Sequence, residues 1–205
     1  MVHAKASRVL VALCVALCTL LLLPAAGSAA SGRIKAKRAA ACANTNLVPD
    51  AGNVAVVRAA VLCLHNRERS ARGLAPLKEH AKLRQAAEGH STDMVATQYF
   101  SHDSPAGVDM AQRILGTGYA RNQGWSLGEN IAWGTGEFAT AHEIHRAWMR
   151  SPGHKANILR RQFREIGIGI AIGAPLPRPA ASSPLGSDSG GLDGATYTAD
   201  FGVRR

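Results

Sequence analysis

Hydrophobic positions along this chain change their period from segment to segment, and each period predicts a different element. Val9 to Leu23 is an unbroken apolar run of 15 residues, stopped by Pro24. Val54, Val57, Val61 and Leu64 then recur at helical spacing behind Asn53, a residue type that caps helix N-termini, and the pattern stops near Gly73. Pro76-Leu77 turns the chain into a second helix from about His80 to Thr97, with Leu83, Ala86, Ala87, His90, Met94 and Val95 on one face. FSHDSPAG (from Phe100) reads as loop, Met110 to Gly116 as a short helix, and Gly128 to Gly134 as a short strand. A helix is predicted from Ala139 to Arg150, followed by a Ser151-Pro152-Gly153 break and a helical turn over His154 to Leu159.

The period then drops to two. In EIGIGIAIG, Ile166, Ile168, Ile170 and Ile172 alternate with small residues, which is strand periodicity with one buried face. Thr196 to Val203 is a second strand. The Pro-, Ser- and Gly-rich stretch between them, residues 174–195, is too poor in apolar side chains to build a core and is expected to be a flexible loop. Helices come first and strands gather late, which predicts an α+β domain with helices packed on an antiparallel sheet.

The first apolar run has its own meaning. Lys5 and Arg8 precede it and small residues from Ala25 to Ala30 follow it, the plan of a secretory signal peptide over residues 1–30. Fifteen apolar residues fall short of the ~20 that a spanning helix needs, so the chain is not expected to be transmembrane. Removing the segment takes two cations and lowers the net charge from +10 to about +8. Residues 31–53 form a basic, Ala-rich arm, and 54–205 the domain. Cys14 and Cys18 leave with the signal. Cys42 and Cys63 remain as an even pair in an oxidising compartment and are expected to form a disulfide.

The mature chain is expected to be secreted or envelope-associated and monomeric. An excess of 15 Lys/Arg over 10 Asp/Glu between Val54 and Gly173 makes an anionic wall polymer or lipid its natural partner there. No aromatic-basic motif speaks for nucleic acid.

Three polar residues stand in local frames of Gly, Ser and Asn: His102 in FSH, Glu129 in GEN and His154 in SPGHKANIL. Two imidazoles beside a carboxylate can hold a metal, relay a proton or hydrogen-bond one another. Gly124-Trp125-Ser126-Leu127-Gly128 fits the G-x-S-x-G elbow but lacks a strand before it and a helix after it. His142 and His145 are three apart and miss the zincin spacing. His65 and His90 are expected to be buried and hydrogen-bonded, His80 exposed, and Trp133 and Trp148 in the core.

The order LCLHNRERSARGLAPL, AAEGHSTDMVATQYFSH, GENIAWG, WMRSPGHKANIL and EIGIGIAI resembles the bacterial branch of the CAP superfamily, which includes cysteine-rich secretory proteins, antigen 5 and plant pathogenesis-related proteins. The resemblance covers about Val54 to Val203. It implies a three-layer α-β-α sandwich around a small antiparallel sheet, and a shallow cleft lined by His102, Glu129 and His154. Many eukaryotic members carry a second glutamate where this chain has Ser151, so a mechanism needing two carboxylates is in doubt; neither Glu137 nor Glu143 matches that site. Two classes of function stay open. One is a secreted binding or signalling module at the cell envelope, needing no cofactor. The other is a metal-dependent hydrolase in which His102 and His154 hold a Zn2+ ion with Glu129, and Glu129 is the catalytic candidate as general base.

Overall fold

The computed structural model describes residues 41–121, 124–176 and 194–205. The signal segment, the first part of the basic arm and most of the Pro/Ser/Gly-rich loop lie outside the described residues. The elements are α1 (Val54–Ser70), β1 (Lys78–Glu79), α2 (Ala81–Ala96), α3 (Met110–Gly116), β2 (Trp125–Thr135), α4 (Ala141–Arg150), α5 (Pro152–Leu159), β3 (Glu165–Ile172) and β4 (Gly194–Arg204). A 3₁₀ turn at Gly136–Ala139 precedes α4, which starts at Ala141, two residues after the predicted Ala139, and ends at Arg150 as predicted.

The strands run β1-β3-β4-β2 across one sheet. β2, β4 and β3 are antiparallel neighbours, but β1 pairs parallel with β3 through Lys78 and Glu79. The sheet is therefore mixed rather than wholly antiparallel. The two-residue β1 is too short for any periodicity to reveal. β4 begins at Gly194 rather than Thr196, and buried Ala195 belongs to the sheet and not to the loop. β2 begins at Trp125, which puts Ser126 inside a strand opposite Val203 and removes any nucleophile elbow.

The alternation in β3 decides the layering. Ile166, Ile168 and Ile170 share one core with Tyr197, Ala199 and Phe201 of β4, under Val57, Val61 and Leu64 of α1, Ile144 and Trp148 of α4 and Ile158 of α5. Each isoleucine fully buried there contributes roughly 1.5–3 kcal/mol. The glycines between them are not a solvent face. A Cβ on Gly167 would lie 2.0 Å from the Leu83 carbonyl carbon, and one on Gly169 2.2 Å from that of Ala87. These glycines let the backbone of α2 lie directly on the strand, so both faces of β3 are buried. A second core of Leu83, Ala86, Ile114, Tyr119 and Leu127 joins α2, α3 and β2. The result is the expected α-β-α sandwich.

The Cys42–Cys63 disulfide is formed, tying the middle of the arm to α1. A backbone bond from His142 to the Thr45 carbonyl (2.8 Å) ties the same segment to α4. Trp148 is buried and gives its indole N–H to the Ile131 carbonyl at 3.0 Å. Trp133 is 39% exposed, contrary to expectation, near the end of the edge strand β2. His80 is half-buried rather than exposed: it caps α2 by accepting from Lys82 N, and its ring packs edge-on against Tyr119.

Candidate functional site

The GEN tripeptide works because β2 alternates between two layers. Gly128 faces α5, where a Cβ would meet the Asn157 amide oxygen at 2.9 Å and the Phe163 ring at 3.0 Å. Asn130 also reaches α5, donating to the His154 carbonyl at 3.0 Å. Asn157 answers by donating to the side-chain oxygen of Asn130 (2.9 Å) and the carbonyl of Glu129 (3.0 Å). These bonds seat SPGHKANIL on β2 and so place His154. The far end of α5 is held by Arg69, whose buried guanidinium donates to the carbonyls of Ala75, Ile158, Arg160 and Phe163 at 2.7–3.1 Å. With no acid paired to it among the described residues, Arg69 depends on those carbonyls to offset its desolvation.

Glu129 faces the other layer, with its side chain only 2% exposed. One oxygen is 2.7 Å from His102 Nδ1, and the other accepts from an Arg113 terminal nitrogen, also at 2.7 Å. Burial alone would raise this carboxyl. The hydrogen bond from His102, the charge and hydrogen bond of Arg113 and the charge of His90 outweigh it and hold the group below the ordinary carboxylate value. His102 is shifted the opposite way, upward, chiefly by its hydrogen bond to Glu129. Its side chain is 54% exposed, so Glu129 fixes one edge of the ring while much of the rest meets solvent. The FSH loop is set by His90, whose Nε2 lies 3.0 Å from the Ser101 carbonyl. Tyr99 beside it gives its hydroxyl proton to Asp93 at 2.6 Å.

A second carboxyl sits beside Glu129. Asp200 on β4 is its register partner and is fully buried. Neither Asp200 oxygen has a hydrogen-bond donor among the described residues. Burial, then the charge of Glu129, pushes this carboxyl well above its ordinary value. In its protonated form it can donate to Glu129, which relieves both burial and repulsion. The position resembling the family's second glutamate, Ser151, caps α5 without any side-chain capping bond. In this chain the second carboxyl comes from β4, not from the helix. A lone Asp in the apolar strand TYTADFGV was the available signal for it. Arg113, on a seven-residue helix, carried no such signal.

His154 is half-buried, and desolvation followed by the charge of His102 lowers its pKa. Among the described residues its ring makes no hydrogen bond to His102 or Glu129, so the structure pairs only two of the three expected residues directly. A cleft of about 400 Å³ opens beside that pair, lined by His102, Asp103, Asp109, Met110, Ala111 and Glu129. Among the described residues, no three His, Cys, Asp or Glu side chains are grouped as a metal ion requires. Glu129 offers both oxygens to cationic or N–H partners, and the adjacent Arg113 guanidinium opposes a second cation. As arranged here, Glu129 is a hydrogen-bond partner of His102 rather than an ion ligand, and any zinc would be held by the imidazoles of His102 and His154.

His65 and His145 face each other Nδ1 to Nδ1 at 3.1 Å between α1 and α4. Burial lowers both, and His145 is pushed down to about 4.

The Cysteine-rich secretory protein (CAP) family matches residues 62–177. An uncharacterized protein of Bacillus subtilis (strain 168), YkwD, is 36% identical over 69% of this chain and 53% of its own length. An uncharacterized membrane protein of the same organism, YlbC, is 34% identical over 54% of this chain and 30% of its own length. The chain therefore spans about half or less of these curated relatives. Among solved structures, an extracellular protein containing an SCP domain from Bacillus anthracis superimposes with a TM-score of 0.52 at 27% identity, over 71% of this chain and 39% of that one. An outer surface protein of Borrelia burgdorferi shares the fold with a TM-score of 0.55 at 16% identity, over 77% and 97% of the two chains. No helix among the described residues is long and apolar enough to cross a membrane. The family match spans the segments that carry His102, Glu129 and His154, and on it the chain belongs to the CAP, or cysteine-rich secretory protein, family.

Proposed function

We propose that this CAP domain is a secreted binding module of the cell envelope, with the cleft beside His102 and Glu129 as its recognition surface. One observation carries the reading: both oxygens of Glu129 are already engaged, by His102 and by Arg113. A carboxylate held below its ordinary pKa by an imidazole and a guanidinium is a weak base, poorly suited to activating water. The same bonds make a rigid polar floor, and a preformed floor favours binding. That its SCP-domain neighbour from Bacillus anthracis is described as extracellular supports the address. The ligand class open to the cleft includes envelope lipids, wall polymers and exported proteins.

The competing reading is a metal-assisted hydrolase with Glu129 as base and zinc on the two histidines. Calorimetry of the purified protein with zinc separates the two. The binding module predicts no saturable site that His102→Ala or His154→Ala abolishes. A site lost in both variants and weakening from about pH 7.5 to about 5.5, across the histidine range, would favour the hydrolase. Pull-down of isolated wall and lipid fractions tests the module directly. Retention of a fraction by the wild type but not by Glu129→Gln supports it, and no retention of any fraction rejects it.

A further inference from the structure

The end of the sheet formed by the start of β3 and the end of β4 carries a charge pattern that the cleft does not explain. Three segments distant in sequence converge there: Lys78 on β1, the loop Arg160–Arg164, and Arg204 at the end of β4. Backbone bonds fix the convergence, from Lys78 N to the Arg164 carbonyl (2.9 Å) and from Arg164 N to the Gly202 carbonyl (3.1 Å). These cations therefore sit on ordered strand ends and one tight loop. The acids that the same segments bring are already taken. Glu165 is held by Arg204 at 2.6 Å and by the Tyr119 hydroxyl at 2.6 Å, and Glu79 lies 3.3 Å from Arg84. Among the described residues Lys78, Arg160, Arg161 and Arg164 reach no carboxylate.

Several of the guanidiniums are pre-oriented. Arg160 lies over the Phe163 ring at 5.2 Å and Arg204 over the Tyr119 ring at 5.4 Å. Stacked on its ring, Arg160 keeps its N–H edge available for an oxyanion, whereas Arg204 spends its edge on Glu165. Arg164 is held by the carbonyls of Arg161 and Phe163. A notch of about 330 Å³ opens between Arg164 and Arg204, floored by Glu165 and Val203. The His102–Glu129 cleft, by contrast, carries two further acids, Asp103 and Asp109, in its lining.

We propose that this sheet end is a second binding surface, for a flexible polyanion whose repeating groups are phosphates. Phosphate suits the arginines because a guanidinium meets it through two parallel N–H bonds. A polymer, rather than a lone phosphate, suits the layout because each exposed contact is weak in water and only several together hold a ligand. The surface goes beyond the cleft and would anchor the domain in a phosphate-bearing matrix while the cleft stays open.

Fluorescence anisotropy of labelled inorganic polyphosphate with the full chain tests this. Lys78→Gln with Arg161→Gln removes two exposed charges that make no side-chain bond here, and should weaken binding about tenfold. The slope of log affinity against log salt should become shallower by about one to two, because two cations no longer neutralise phosphates. Arg146→Gln with Arg150→Gln, on α4 and outside the patch, removes the same charge and should leave affinity unchanged. Equal weakening in both double variants would mean diffuse attraction to net charge and overturn the proposal. So would equal affinity for polyglutamate or for orthophosphate alone. Tighter binding to vesicles of phosphatidylglycerol and phosphatidylcholine in equal parts, or to duplex DNA, would overturn it in favour of a membrane or nucleic acid.

Discussion

Glu129 and Asp200 are direct partners across β2 and β4, and they place two buried carboxyls side by side. Only one can be ionised at modest cost. Glu129 is the ionised member because His102 and Arg113 both contact it, whereas Asp200 has no donor of its own among the described residues. The pair sets the electrostatics of the site. The net charge of its floor depends on a proton held one strand behind the cleft.

Asp200→Asn should keep a donor toward Glu129 while removing the titration. The folded pKa of Asp200 is raised, so the wild type loses stability as pH rises from about 3.9 through that folded value. The variant should therefore melt increasingly above the wild type as pH rises from 4 toward 8, by calorimetry at stepped pH. A constant difference across that range would show that Asp200 is ionised throughout.

His102 should titrate above free histidine and His154 below it. Glu129→Gln removes the charge that raises His102, and should move its midpoint down toward the ordinary value. Two-dimensional NMR of the imidazole nitrogens follows both rings at once. An unchanged His102 midpoint in that variant would break the assigned pair.

Acid should weaken the α1–α4 seam. His65 and His145 are buried and neutral, and their folded pKa values are depressed. Their contribution is complete above about pH 6.5 and is lost as pH falls toward about 4. For His145 the loss is up to about 3 kcal/mol over that window. Urea midpoints at pH 7 and 4.5 measure it. A His145→Gln variant should show a flatter dependence than the wild type.

Gly169→Ala should be among the most damaging single-methyl additions in the domain. The new Cβ would lie 2.2 Å from the backbone of Ala87, and neither strand nor helix can yield locally. A cost of about 3 kcal/mol or more is expected. Gly153→Ala in α5 meets nothing within 4 Å and should be neutral or slightly stabilising. Denaturant unfolding of the two variants, side by side, checks the contrast. Equal effects would mean that α2 does not rest on β3.

Local pattern was enough to locate most elements. The 3.6-residue recurrence marked α1 and α2, and the end of α3 at Gly116 was readable from the sequence. The Ile alternation marked β3, and the even cysteine pair marked the disulfide that the structure contains. Periodicity reports which face of an element is apolar, and these elements each have one. It could not show that the glycines of β3 carry a helix backbone, because a small residue on a strand looks the same beside solvent and beside a packed helix. Nor could it find β1, whose two residues owe their conformation to pairing with β3. The site divides in the same way. His102, Glu129 and His154 stood out through their Gly, Ser and Asn frames, which are local. Arg113 and Asp200 are brought to Glu129 by packing and register, across separations that no local pattern encodes. Which oxygen of Glu129 is engaged, which carboxyl keeps its proton and where the arginines gather are properties of side chains held close in a low-dielectric interior or along one sheet end. Those distances exist only once the chain has folded.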